Sequence, residues 1–146
     1  MDASDSIMDL PTSAKTLIPH RSPVCMVDRL LEAGENSGVV ESVILKDSFL
    51  LDEDNNLDPA GMIELIAQAC AAVKGYNDRL NNRPVQQGHL VAIRGFKSEG
   101  RAHAGDRLLI RIAVNSVYES FVAADGEVIR GEDVIASGSI RLQIMV

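Results

Sequence analysis

Glu64 is a carboxylate in an unusual setting. It sits in the stretch LDPAGMIELIAQACAA, residues 57–72, which reads as a helix apolar on almost every side. Charged side chains are rarely buried without a partner or a task. An acid so placed is a candidate general acid or base, because burial and neighbouring charge decide when it holds its proton. Gln68 lies one helical turn further along the same face, where its amide can orient the carboxylate. The competing reading is a half-buried structural acid bonded to Gln68 or to an arginine across an interface. Three histidines, His20, His89 and His103, offer the other common acid/base group. His20 lies near the N-terminus, His89 starts the extended segment after the helix, and His103 reads as a loop residue between two alanines. Arg94, Lys97, Arg101, Arg107 and Arg111 cluster in one segment, either as a solvated sheet face or as a docking patch. Cys25 and Cys70 match no zinc or redox spacing and read as buried, reduced thiols.

The elements that must carry these groups follow from pattern. Residues 1–16 are polar and acidic and read as an N-terminal arm or short helix, with one domain over 17–146. A strand is expected from Val24, a turn at ENSG (35–38), and a second strand in VVESVILK. Asp58 followed by Pro59 predicts a helix start, an N-cap carboxylate and then Pro where its missing N–H costs nothing. Asn81 or Asn82 can take the left-handed cap near Leu80, and Pro84 ends the run. Beyond it the pattern turns to strands: GHLVAIRGFKSEG, then alternation after a Gly-Asp turn, then a strand, the turn ADGE (124–127) and a long last strand. The fold class is α+β, one long central helix against a strongly curved antiparallel sheet. One sheet face buries only part of such a helix, so a curved sheet or a second protomer is expected to cover more.

Composition narrows the function classes. The chain has 146 residues, enough for one unaided core, and 46% of them are hydrophobic. With 21 acids against 14 Lys and Arg the formal net charge is −7, which argues against general attraction to nucleic acid or anionic membranes. The acidic N-terminus does not read as a signal peptide, and no apolar run approaches a membrane span, so a cytoplasmic location is expected.

Three blocks carry a family resemblance. LIPHRSPVCMVDRL (17–30), GMIELIAQA (61–69) and HLVAIRGFKSEGRAHAGDRLLIRI (89–112) together resemble the hotdog-fold 3-hydroxyacyl-acyl-carrier-protein dehydratases. The opening block resembles their Leu-Pro-His-Arg start, with Ile18 inserted. The helix block resembles the Glu-x-x-Ala-Gln helix bearing their catalytic acid. The strand block resembles their long strand and following Gly-Asp pair. One departure stands out. Those dehydratases place a catalytic histidine in the loop before the helix, and here the window Lys46–Asp58 holds none, with Leu50 at the corresponding position. In this the chain is more similar to the diverged dehydratase subunits of aryl polyene and related polyene pathways.

The resemblance implies dehydration of a β-hydroxyacyl thioester. A base takes the α-proton, an acid protonates the leaving hydroxyl, and an N–H group stabilises the thioester oxygen. It implies Glu64 as acid/base, with Gln68 orienting it or binding the departing water. Gly61 and Met62, at the helix N-terminus, would offer amides to the thioester oxygen. His20 and His89 are the candidates to replace the missing histidine, although the resemblance makes His20 and Arg21 mainly structural. Arg94 and Lys97 head the patch that would meet an acidic carrier protein and its phosphopantetheine phosphate. No cofactor or metal is implied. The partners are an acyl carrier protein or CoA thioester and a second hotdog protomer, in a homodimer or heterodimer. Three functions remain open: a dehydratase, a non-catalytic subunit completing a heterodimer whose partner brings the histidine, and an acyl thioesterase.

Overall fold

Asp58 opens a long helix, α1 (Pro59–Leu80), its carboxylate accepting from the Ala60 amide at 2.9 Å. At the other end Asn82 adopts φ 57°, and the Arg83 amide returns to the Asp78 carbonyl at 2.7 Å. Both ends are therefore closed by the local capping chemistry the sequence announces. The structure is a computed structural model and describes residues 9–20, 24–48, 50–84 and 86–145.

Among the described residues seven strands form one antiparallel sheet around α1: β1 (Thr12–Ser13), β2 (Arg29–Ala33), β3 (Ser37–Val43), β4 (Gln87–Ser98), β5 (Arg107–Tyr118), β6 (Phe121–Arg130) and β7 (Asp133–Met145). Their order is β1-β2-β3-β5-β6-β7-β4, so β4 is an edge strand hydrogen-bonded on one side only and the sheet is not closed. This is the hotdog plan, a helix laid into a curved sheet. Leu65, Ile66, Ala69, Cys70, Ala72 and Val73 of α1 pack on Val40, Leu108, Ile110, Ile112 and Val128, all buried. α1 is less covered along one stripe, where Ala60 is exposed and Ile63, Glu64, Ala71 and Lys74 are half-buried at helical spacing.

Two local expectations need correction. No strand begins at Val24. Residues 24–28 are irregular and β2 starts at Arg29, because the backbone of Val24 and Met26 bonds to the side chains of Gln68 and Ser42, and among the described residues only Asp28 bonds to the backbone of other segments. The segment ADGE is not a turn but the middle of β6, and the chain reverses at Gly131–Glu132. Gly126 is there for packing: a Cβ on it would lie 2.4 Å from Ile66 of α1. Part of the stretch expected as an arm, residues 1–16, lies against the sheet. Thr12 and Ser13 pair with β2, a 3-10 turn covers Ala14–Thr16, and Ala14 is fully buried. Residues 1–8 lie outside the described residues. The opening block then docks on the helix so closely that a Cβ at Gly75 would fall 2.0 Å from the Leu17 carbonyl oxygen.

Candidate active site

Glu64 is fixed through Gln68. The Gln68 amide nitrogen donates to the Glu64 carboxylate and to the Val24 carbonyl, each at 2.8 Å, and its oxygen accepts from the Met26 amide at 2.7 Å. Turning the amide over would set its NH₂ against the Met26 N–H, so this network admits one orientation. Gln68 is 1% exposed, and α1 lays it against the irregular segment 24–28. Among the described residues Gln68 is the sole hydrogen-bond partner of Glu64. The Ser42 hydroxyl of β3, fully buried, donates to the Met26 carbonyl at 2.5 Å.

The other candidates are not all brought to this carboxylate. Gly61 and Met62 are buried beside the helix start, where a Cβ at Gly61 would lie 2.6 Å from the Leu57 side chain. The Gly61 amide already donates to the Asp58 carbonyl at 2.7 Å, so its glycine answers to packing and its N–H is occupied within the chain. His20 is half-buried just after Leu17 and Ile18, both core residues, and makes no hydrogen bond to Glu64. Arg21 lies outside the described residues. His89 pairs with Gln143 across the β4–β7 ladder, alternating with Leu90 opposite Leu142. Leu142 and Ile144 face α1, so His89 projects from the opposite side of the sheet. Arg94 opposite Ser139 and Lys97 opposite Ser137 share that outer face.

The pre-helix loop is built from its own acids and asparagines. Asp52 accepts from the amides of Asp54 and Asn56 at 2.8 and 3.0 Å, Asn55 takes φ 62°, and the Leu50 carbonyl accepts from the Asp58 amide. The His103 ring approaches Asn56 of this loop, while its backbone N–H donates to Asp106 at 2.8 Å. Among the described residues no group of three His, Cys, Asp or Glu is placed to hold a metal ion, and no helix is long and apolar enough to cross a membrane.

Ion pairing divides the basic cluster. Arg101 pairs with Asp52, Arg107 with Glu41 and Arg111 with Glu127, at 3.4, 2.7 and 3.1 Å. Glu41 also takes Arg29 at 2.9 Å, and these two guanidinium hydrogen bonds hold its carboxyl below the usual range. Among the described residues Arg94, Lys97 and Arg141 have no ion-pair partner. Arg94 and Arg141 border a notch of about 140 Å³ on the outer face, with Ala92, Asn115, Ala123 and Ser139. Cys25 and Cys70 are not joined in a disulfide. Cys70 is fully buried and its thiol is pushed up to about 12, whereas Cys25 is only half-buried. Sequence reasoning misses Ser42 and Arg141. The alternation of Ser137, Ser139, Arg141 and Gln143 already puts Arg141 on the outer face, but nothing local marks Ser42.

Known proteins bear on this geometry. The chain is 33% identical over 141 residues to the 3-hydroxyacyl-[acyl-carrier-protein] dehydratase FabZ of Natranaerobius thermophilus, covering 90% of this chain and 94% of that protein. The FabZ of Fusobacterium nucleatum is 28% identical over 132 residues, covering 87% and 91%. The fold matches a solved structure of the dehydratase heterocomplex ApeI:P from Xenorhabdus doucetiae, with TM-score 0.87, 19% identity and 92% of each chain covered. A hypothetical thioesterase solved with coenzyme A from Streptococcus pneumoniae is a more distant match, with TM-score 0.63, 10% identity and coverage of 80% and 84%. The model of the ApeP-like family, described as ApeP dehydratase, matches residues 12–144. With that match over most of its length, the chain belongs to the ApeP-like dehydratase family.

Proposed function

We propose that this chain supplies the carboxylate half of a dehydratase site acting on 3-hydroxyacyl thioesters of an acyl carrier protein, in fatty acid or polyene-type biosynthesis. The observation that carries the reading is Glu64, half-buried on the less covered stripe of α1 and oriented by Gln68. In the elimination the α C–H bond breaks, its electron pair forms the C=C bond, and the β C–O bond breaks to release water. One group must take the α-proton and one must protonate the hydroxyl. Glu64 performs one of these transfers.

The second group comes from another protomer. Two observations support this: the Lys46–Asp58 window lacks a histidine, and β4 leaves an edge open with Leu90, Val91 and Ile93 36%, 50% and 39% exposed. Pairing across that edge would cover those side chains and the open stripe of α1 together. A heterodimer with a histidine-bearing hotdog subunit fits best, and the ApeI:P match, itself a dehydratase heterocomplex, points the same way. On the outer face Arg94 and Lys97, joined by Arg141, would receive the acidic body of the carrier protein. Reversing both charges with Arg94→Glu and Lys97→Glu should raise KM for carrier-bound substrate by roughly 5–10-fold and leave a small thioester unaffected.

The test is to follow enoyl absorbance from a 3-hydroxyacyl thioester, using the chain alone and mixed with a histidine-bearing hotdog subunit. Product only in the mixture supports the shared site. Full activity of the chain alone removes the need for a partner. No product in either case rules out dehydration. Thiol release from acyl-CoA that is lost on Glu64→Ala would instead identify a thioesterase.

A further inference from the structure

We propose that Ser42 is a positioning residue for Glu64, acting through Met26 and Gln68. The proposal rests on the reading of Glu64 as the reacting acid. Ser42 is 0% exposed on the inner face of β3, between Val40 and Ile44, which are 0% and 3% exposed. A hydroxyl there requires a partner, and it donates to the Met26 carbonyl at 2.5 Å. Met26 belongs to the irregular segment 24–28, which no sheet ladder fixes in place. That same segment supplies both backbone partners of Gln68, the Val24 carbonyl and the Met26 amide.

The consequence is a chain of dependence. The Gln68 amide plane is set by where residues 24–26 lie, and its remaining N–H is aimed at Glu64. Ser42 pins the Met26 carbonyl from the sheet side. The Asp28 amide, bonded to the Glu41 carbonyl at 2.8 Å, and the Asp28 carboxylate, accepting from the Val43 amide at 2.7 Å, pin the segment two residues later. Ser42 is thus the tie to β3 nearest to Gln68. Removing its hydroxyl frees the Met26 peptide to shift, and Gln68 and then Glu64 move with it. Ser42 never touches substrate in this scheme.

The experiment is a double-mutant cycle in the assembled, active protein. Ser42→Ala should lower kcat about tenfold with KM changed less than about twofold, since an effect on the reacting group and not on binding is expected. In a Gln68→Ala background the same substitution should cost less than about twofold, because the connection is already cut. If Ser42→Ala does not fold, Ser42→Cys, similar in volume and a poor donor, should show the same kcat loss. A serine variant with unchanged kcat, or losses that multiply independently of Gln68, would overturn the proposal. Glu64→Gln measured alongside separates the two claims. If it keeps full activity, the reading of Glu64 fails. If it is inactive while the cycle shows no coupling, only the role of Ser42 fails.

Discussion

Around Gln68, three segments distant in sequence meet and bond: α1, residues 24–26 and, through Ser42, β3. Along β4, by contrast, a strand of 12 residues pairs on one side only and keeps Val91, Arg94 and Lys97 in solvent. The first region is complete within one chain, down to the orientation of a single amide. The second is not. A long edge with exposed apolar residues is a liability unless something pairs with it. The chain thus fixes the Glu64 carboxylate by itself, and in the proposed function the remainder of the site comes from a neighbour.

The sharpest way to break the finished region is at Gly75. Its Cβ would collide with the Leu17 carbonyl, a backbone atom that cannot swing aside, so Gly75→Ala should cost about 3 kcal/mol. Urea unfolding would read this as a lower midpoint at unchanged slope. The open region should respond in the opposite manner. Val91 is 50% exposed, so Val91→Lys should alter the stability of the isolated chain by less than about 0.5 kcal/mol. The same change should dissociate the assembly, seen by sedimentation as a fall to monomer mass. Unaltered mass would mean that β4 is not the seam.

A smaller effect concerns the ion pairs on the outer face. Folded Glu41 binds its proton less readily than the unfolded chain does, because Arg29 and Arg107 hydrogen-bond its charged form. Its contribution is therefore full above the ordinary carboxylate range and is lost as pH falls through the lowered value. Glu41→Gln should flatten the loss of stability between neutral and acidic pH, and should change little once the wild-type carboxyl is protonated. Both arginines are about half exposed, so solvent screening keeps this effect modest.

What could be read from sequence divides along similar physical lines. The ends of α1 were legible because capping is local: Asp58, Pro59 and the asparagines need only their neighbours. Strand alternation was legible as well, and it correctly separated Leu108, Ile110 and Ile112 from Arg107 and Arg111. Gly126 misled, since a glycine after an aspartate suggests a turn, while its real reason is Ile66 on a distant helix. Segment 24–28 misled for the same cause, as its partners Gln68 and Ser42 are visible only once the chain is folded. The basic cluster is uniform in sequence, yet register alone decides that Arg107 and Arg111 meet Glu41 and Glu127 while Arg94 and Lys97 do not. The Glu64–Gln68 contact was legible because an acid in an apolar run is conspicuous and helical spacing fixes their shared face.

The proposed role of Glu64 as the reacting acid is probed without intermediaries by Glu64→Gln in the assembly that forms enoyl product. The substitution keeps the shape and removes the acid. A fall in kcat of roughly 10²–10⁴-fold is predicted, with the assembly and the unfolding midpoint preserved. Enoyl formation at the wild-type rate by the Glu64→Gln protein would contradict that role.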